Sequence, residues 1–392
     1  MSETATLFVG TYSRKEFFVD GQGKGVYAFQ FDLLTGALTP LGLQAETGIN
    51  PAFVCGTKTT LYVINECDEP LKGAETAATD GAIAASSSLQ ETGYVSALRI
   101  GENGHDLTLL NQWETCGSFP CHVSVNPDED FLTVSNYGGG SVAVFPINAD
   151  GSLAPMSDLQ QFSGASLVVP DRQDGAHMHS TTWVPHTNFA FSADLGNDRV
   201  VQFKLQKEAK KLVSNSAFAT RPGGSGPRHM AIHTGLNVAY VLDELSSTIG
   251  VHTYDAASGT LSATAIQDIS TIPEDFTDVS MPADIHLSTC GNFVYASNRG
   301  HDSITAYRIN HGHEDEADRG KLTLLEIVST RGKAPRNFLI FRNFLFAANQ
   351  DTNTIELFHI DAISGKLVFT GTSVECPTPV SLFIPPQYYV EK

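Results

Sequence analysis

Residues 226–255, GPRHMAIHTGLNVAYVLDELSSTIGVHTYD, hold three short strands in one phrase. Pro227 and Arg228 open the first strand, and Thr234, Gly235, Leu236 and Asn237 supply a tight hairpin. Residues 238–242 form the second strand, Asp243 and Glu244 a polar turn, and residues 249–254 a third strand with apolar residues at every second position. The phrase is a repeat. It returns as FPCHVSVNPDEDFLTVSNYGGGSVAVFPIN from Phe119, HMHSTTWVPHTNFAFSADLGNDRVVQFKL from His177, PADIHLSTCGNFVYASNRGHDSITAYRIN from Pro282 and PRNFLIFRNFLFAANQDTNTIELFHID from Pro335. An earlier copy, PAFVCGTKTTLYVINECDE from Pro51, finds its third strand, GYVSALRI, only after an insertion.

A further copy is split between the ends of the chain. TLFVGTY and GVYAFQFD near the start read as its second and third strands, and PVSLFIP near the end reads as its missing first strand. Between copies stand fourth-strand candidates such as GALTPLGLQ, TLLNQWE, KLVSNSAF, TLSATAIQ and KLTLLEIV. Four short strands per unit at a period near 50 residues mark an all-β, seven-bladed β-propeller, because one blade cannot bury both of its faces alone. Pairing of the N- and C-terminal strands closes the ring. A two-sheet sandwich of the same strands would need no internal repeat.

One ring uses residues 1–392 as a single domain, since repeat architectures override length-based domain counts. Residues 68–93, rich in Ala, Ser, Thr and Gly, read as a surface insertion, and residues 15–25 and 157–176 as long connections. Residues 310–320, NHGHEDEADRG, have the composition of a metal tract but the position of a solvated turn between outer strands. The cysteines, Cys55, Cys67, Cys116, Cys121, Cys290 and Cys376, lack metal spacing and read as free thiols, with a Cys116–Cys121 bridge as the alternative. No apolar run approaches a membrane span and no secretory pattern opens the chain, so a cytoplasmic protein without membrane contact is expected. A formal charge of −19 with no basic stripe argues against nucleic acid but leaves room for a small anion gathered by a few arginines. Nothing in the sequence specifies an oligomer.

In an antiparallel blade the start of strand one and the end of strand two share one sheet edge. The unusual polar residues fall at those two places. His122, His177, His179, Arg228, His229, His286 and Arg336 stand at or near strand-one starts. Asn65, Glu66, Asn136, Tyr137, Asp194, Asp243, Glu244, Asn298, Arg299, Asn349 and Gln350 stand at strand-two ends. All should gather around one mouth of the central channel. The repeated Asn or Asp can equally be a turn former, and His122, His229 and His286 can equally be packed side chains. His177 and His179, two apart on an extended segment, should share a face. Arg228, Arg299 and Arg336 near the axis of an acidic protein call for anionic partners.

The motifs PCHVSV, HMHS with SADLGNDRV, GPRHMAIH with LDEL, ASNRGHDSI, and PRNFLI with AANQDTNTI resemble those of the seven-bladed lactonase propellers, over nearly the whole chain. That family comprises the bacterial-type 6-phosphogluconolactonases and the fungal carboxy-cis,cis-muconate cyclases. The resemblance implies a site without cofactor or metal in the channel mouth, and it carries a functional His onto His179, two Arg onto Arg228 and Arg299, and a Glu onto Glu244. Glu66, His122, Asn136, His177, His229, His286, Arg336 and Asn349 are expected to line the substrate. The expected reaction is hydrolysis of a sugar δ-lactone, most concretely 6-phosphogluconolactone, with His179 or Glu244 as base. Lactonisation of a carboxymuconate by the same residues is the alternative, and an interaction scaffold is the alternative of another class. A calcium-dependent lactonase would instead draw oxygens from Glu66, Asn136, Asp194, Glu244 and Asn349.

Overall fold

Each copy of the repeat folds as one antiparallel sheet whose strands run outward from the axis in chain order. The computed structural model describes residues 4–70, 91–312 and 315–389, so most of the expected insertion, residues 71–90, and two positions of the histidine-containing turn, His313 and Glu314, lie outside the described residues. Seven sheets of four or five strands make the blades. The phrase at residues 226–255 becomes strands Pro227–His233, Val238–Asp243 and Thr248–Asp255, with Asn237 at a φ of 56° in the hairpin.

The split blade forms as the termini suggested. Strand Pro379–Phe383 pairs antiparallel with Thr4–Thr11, placing Phe8 opposite Phe383 and Val9 opposite Leu382. Each pair of neighbouring blades then shares its own apolar cluster. Phe8, Val26 and Ala28 of the split blade meet Val54, Leu61 and Val63 of the next, while Leu7, Val9 and Phe31 meet Phe346, Ile355 and Leu357 on its other side. A tyrosine in strand two latches several interfaces: the hydroxyls of Tyr62, Tyr240 and Tyr295 donate to the carbonyls of Gly151, Gly320 and Gly365 in the following blade at 3.0, 2.9 and 2.7 Å.

Two connections differ from their sequence reading. The segment 157–176 begins with a true fourth strand, Asp158–Gln161, whose polar composition hides its edge position. Residues 15–25 contain a small ribbon, Lys15–Glu16 paired with Val19–Asp20, that raises Phe17 fully into solvent and lays Phe18 against Tyr12. The all-β expectation holds apart from short 3-10 turns such as Leu195–Asn197. All six cysteines are free, so the Cys116–Cys121 bridge is not formed.

Candidate active site

A backbone irregularity builds the mouth. In all seven blades the inner strand carries one more residue than its partner, a β-bulge just after its pairing with the Asn, Asp or, in the split blade, Thr11 near the end of strand two. Pro227 pairs with Asp243 and His229 with Leu242, leaving Arg228 as the extra residue. The same slot holds His179, between Met178 and Ser180, and Arg336, between Pro335 and Asn337. A bulge re-aims one side chain without breaking the sheet, and here it turns these residues toward the axis. Strand-two ends supply a second set: Glu66, Tyr137, Glu244, Gln350 and, after Thr11 at the ring closure, Tyr12 leave the ladder, while Arg299, after Asn298, still pairs with Met281.

Glu244 is the hub. Its carboxylate accepts from Arg228 Nε at 2.8 Å and Arg172 Nη2 at 2.5 Å, and lies 3.1 Å from Arg299 Nη2 and 3.6 Å from His179 Nε2. Burial alone would push the Glu244 carboxyl up, but the charges of Arg299, Arg172 and Arg228 outweigh it and hold it well below the usual carboxylate range. His179 is driven the other way: burial, then the charge of Arg228, lowers it well below an ordinary histidine, so its imidazole is neutral. Burial also lowers Arg299 to about 9, which leaves it charged at neutral pH. Its Nε donates to the Met281 carbonyl at 3.0 Å. Arg172 keeps about a third of its side chain exposed, whereas Arg228 and Glu244 keep 4% each, so solvent reaches the hub from the Arg172 side.

Across the mouth, Glu66 accepts from the Tyr12 hydroxyl at 2.6 Å and lies 4.0 Å from Arg336, whose guanidinium also stacks over Tyr12 and Phe18 at 5.1 and 5.4 Å. Beneath both carboxylates the channel is filled. His122 and His229 follow the bulged residue in their blades and pack edge to face at 5.4 Å beside Phe53. His229 Nδ1 faces Asp284 at 2.8 Å and its Nε2 lies 3.1 Å from Arg228 Nη1, a line of contacts that orients the guanidinium from below. Asp284 also accepts from Asn337 and meets His286 at 2.9 Å.

The expected residues therefore separate. His179, Arg228, Glu244 and Arg299 come together as one cluster, and Glu66 and Arg336 as a second beside it. Asn136 and Asn349 are fully buried and donate their amides to Thr115 and Thr330 carbonyls on the incoming loops at 3.2 and 3.1 Å, so they shape turns instead of lining a ligand. His286 sits further down its strand, opposite Tyr295, and meets Asp284 instead of Glu244. His177 and His179 both pack against Tyr137, stacked at 4.4 Å and edge-on at 5.4 Å, but His177 contacts Asp174 at 2.9 Å while His179 faces Glu244. Arg172, Tyr12 and Asp284 were not among the expected site residues. Tyr12 occupies the repeat slot of Glu66 and Glu244, a signal visible once the register is carried across the termini.

Of the oxygens a calcium site would draw on, Asp194 is tied to Arg199 at 3.0 Å and Glu244 to three guanidinium groups. Among the described residues no three His, Cys, Asp or Glu side chains group to hold an ion, and no helix is long and apolar enough to cross a membrane.

The family model "Lactonase, 7-bladed beta-propeller" matches residues 6–384. A 6-phosphogluconolactonase of Bacillus subtilis is 34% identical over 95% of this chain and 96% of its own length. One from Formosa agariphila is 31% identical, covering 92% and 94%. The solved periplasmic gluconolactonase of Pseudomonas aeruginosa superposes with a TM-score of 0.82 at 29% identity, covering 97% and 99%. With sheet order, ring closure and near full-length similarity in agreement, the chain belongs to the seven-bladed β-propeller lactonase family.

Proposed function

We propose that this protein hydrolyses a phosphorylated sugar δ-lactone, 6-phosphogluconolactone, to the open acid, as the names of its relatives suggest. One observation carries the choice of an anionic substrate: four guanidinium groups, Arg172, Arg228, Arg299 and Arg336, converge on Glu244 and Glu66 at one mouth of a chain whose formal charge is −19. The excess positive charge suits a phosphate, which arginine grips bidentately.

Water attack on the lactone carbonyl needs a proton acceptor and a cation where the oxyanion forms. Neutral His179 is the acceptor. Glu244 is too firmly ionised and too occupied to take a proton at neutral pH, and instead holds Arg228 and Arg299 in place. Arg228, buried and braced by Glu244 and His229, faces the oxyanion. Arg299, Arg336 and the more exposed Arg172 take the phosphate. The reaction belongs to carbohydrate metabolism, in the pentose phosphate pathway, and we place it in the cytoplasm, where six free thiols are at home.

Arg299→Ala is expected to raise KM for the phosphorylated lactone at least tenfold, the loss of a charged hydrogen bond of about 1.5–3 kcal/mol, and to leave KM for gluconolactone within about twofold. Equal changes would remove Arg299 from the phosphate. The same protein should consume the phosphorylated lactone and leave 3-carboxy-cis,cis-muconate unchanged; turnover of the muconate alone would make it a cyclase. Activity is expected to persist in EDTA, since the guanidinium groups supply the positive charge. Loss restored by Ca²⁺ but not Mg²⁺ would reassign Glu244 to metal ligation.

A further inference from the structure

Two carboxylates flank the mouth, and the mechanism above gives work to only one. Glu244 has every oxygen engaged by guanidinium groups. Glu66 does not. Its Oε2 accepts from Tyr12 at 2.6 Å, while Oε1 has only Arg336, at 4.0 Å, among the described residues. The side chain is about one-tenth exposed, so Oε1 sits in the wall of the mouth with little water around it. The charges of Arg336 and Arg228 act on both carboxylates.

We propose that Glu66, with Oε2 fixed by Tyr12, is the general acid that protonates the ring oxygen as the lactone opens. The step balances without a further reagent. Water adds to the carbonyl carbon as His179 takes its proton; the tetrahedral intermediate then collapses, the bond from that carbon to the ring oxygen breaks, and the ring oxygen takes a proton from Glu66 to become a hydroxyl. The proton on His179 returns to Glu66 through solvent, and the product acid ionises. Charge environment sorts the two acids: burial raises the Glu66 carboxyl above the ordinary range, and neighbouring Glu16 adds to the rise. Arg336, the Tyr12 hydrogen bond and Arg228 only partly oppose it. The Cys121 thiol, which also faces this cluster, is itself pushed up by burial and stays neutral. Paired groups pushed apart in this way divide into acid and non-acid roles.

This assignment rests on the lactone-hydrolysis reading, and the test separates the two. The readout is kcat against pH on 6-phosphogluconolactone. In the unaltered protein kcat should fall on the alkaline side, where Glu66 loses its proton. Glu66→Gln should lower kcat on the order of 10²-fold and abolish that alkaline limb, with an unchanged melting temperature. Tyr12→Phe removes a donor to the carboxylate form, so the limb should move to higher pH. On dihydrocoumarin, whose phenolate leaves without a proton, the loss in Glu66→Gln should shrink to a few-fold. An alkaline limb that is absent in the unaltered protein or retained in Glu66→Gln, or a loss equal on both lactones, overturns the assignment. A protein that opens no lactone at all overturns instead the reading beneath it.

Discussion

Deleting residues 378–392 is expected to abolish cooperative folding of the whole ring, not merely to fray its end. The strand Pro379–Phe383 is the inner strand of a blade whose other strands lie at the opposite end of the chain. Val380 belongs to the apolar cluster between the first two complete blades, and Leu382 and Ile384 to the cluster on the other side of the closure. Burying three such side chains is worth roughly 1.5–3 kcal/mol each, which rivals the 5–15 kcal/mol that holds a typical domain together. The deletion also removes hydrogen bonds that reach two neighbours, from Leu382 N to Asn337 at 2.8 Å and from Val54 N to Ser381 at 3.1 Å, and bares a sheet edge. Calorimetry should show no cooperative transition. A truncated protein melting as the full chain does would exclude this closure.

The second large effect belongs to Glu244. Glu244→Ala leaves Arg228, Arg299 and Arg172 crowded without their shared counter-charge, and breaking a buried ion pair from one side costs about 3–5 kcal/mol. Activity should fall on the order of 10³-fold, because both the oxyanion donor and a phosphate ligand lose their anchor. Glu244→Gln should fare little better, since it keeps the shape but not the charge. The pH dependence has a definite sign. A carboxyl held low in the folded state contributes stability that is complete above its unfolded value, about 4.3, and is lost as pH falls through the lower folded value. The difference in melting temperature between the unaltered protein and Glu244→Gln should therefore be full at pH 6 and above and narrow under acid. A constant difference down to pH 2 would mean that Glu244 is not held ionised by its neighbours.

The blades and their closure were legible because they rest on local chemistry repeated many times: alternating apolar residues, hairpin residues such as Asn237, and a recurring phrase whose last copy had no first strand. The rim was legible for the same reason, since His179, Arg228, Glu244 and Arg299 each hold a fixed place in that phrase. What escaped was set by details the alternation does not encode. One extra residue per inner strand aligns His179 with Arg228, although the neighbouring His229 looks the better match. Arg172 sits on a connection that no other blade repeats, so nothing marked it before the chain was seen to bring it to Glu244. Asn136 and Asn349 satisfied both readings of a polar strand end, and only their complete burial decides for the turn.

Acid release from 6-phosphogluconolactone, followed at constant pH with and without the purified protein, tests the central claim most directly. The guanidinium-lined mouth predicts opening far above the spontaneous rate, saturating in substrate and lost in Arg228→Ala. A rate equal to that in buffer, or one that Arg228→Ala leaves unchanged, would contradict it.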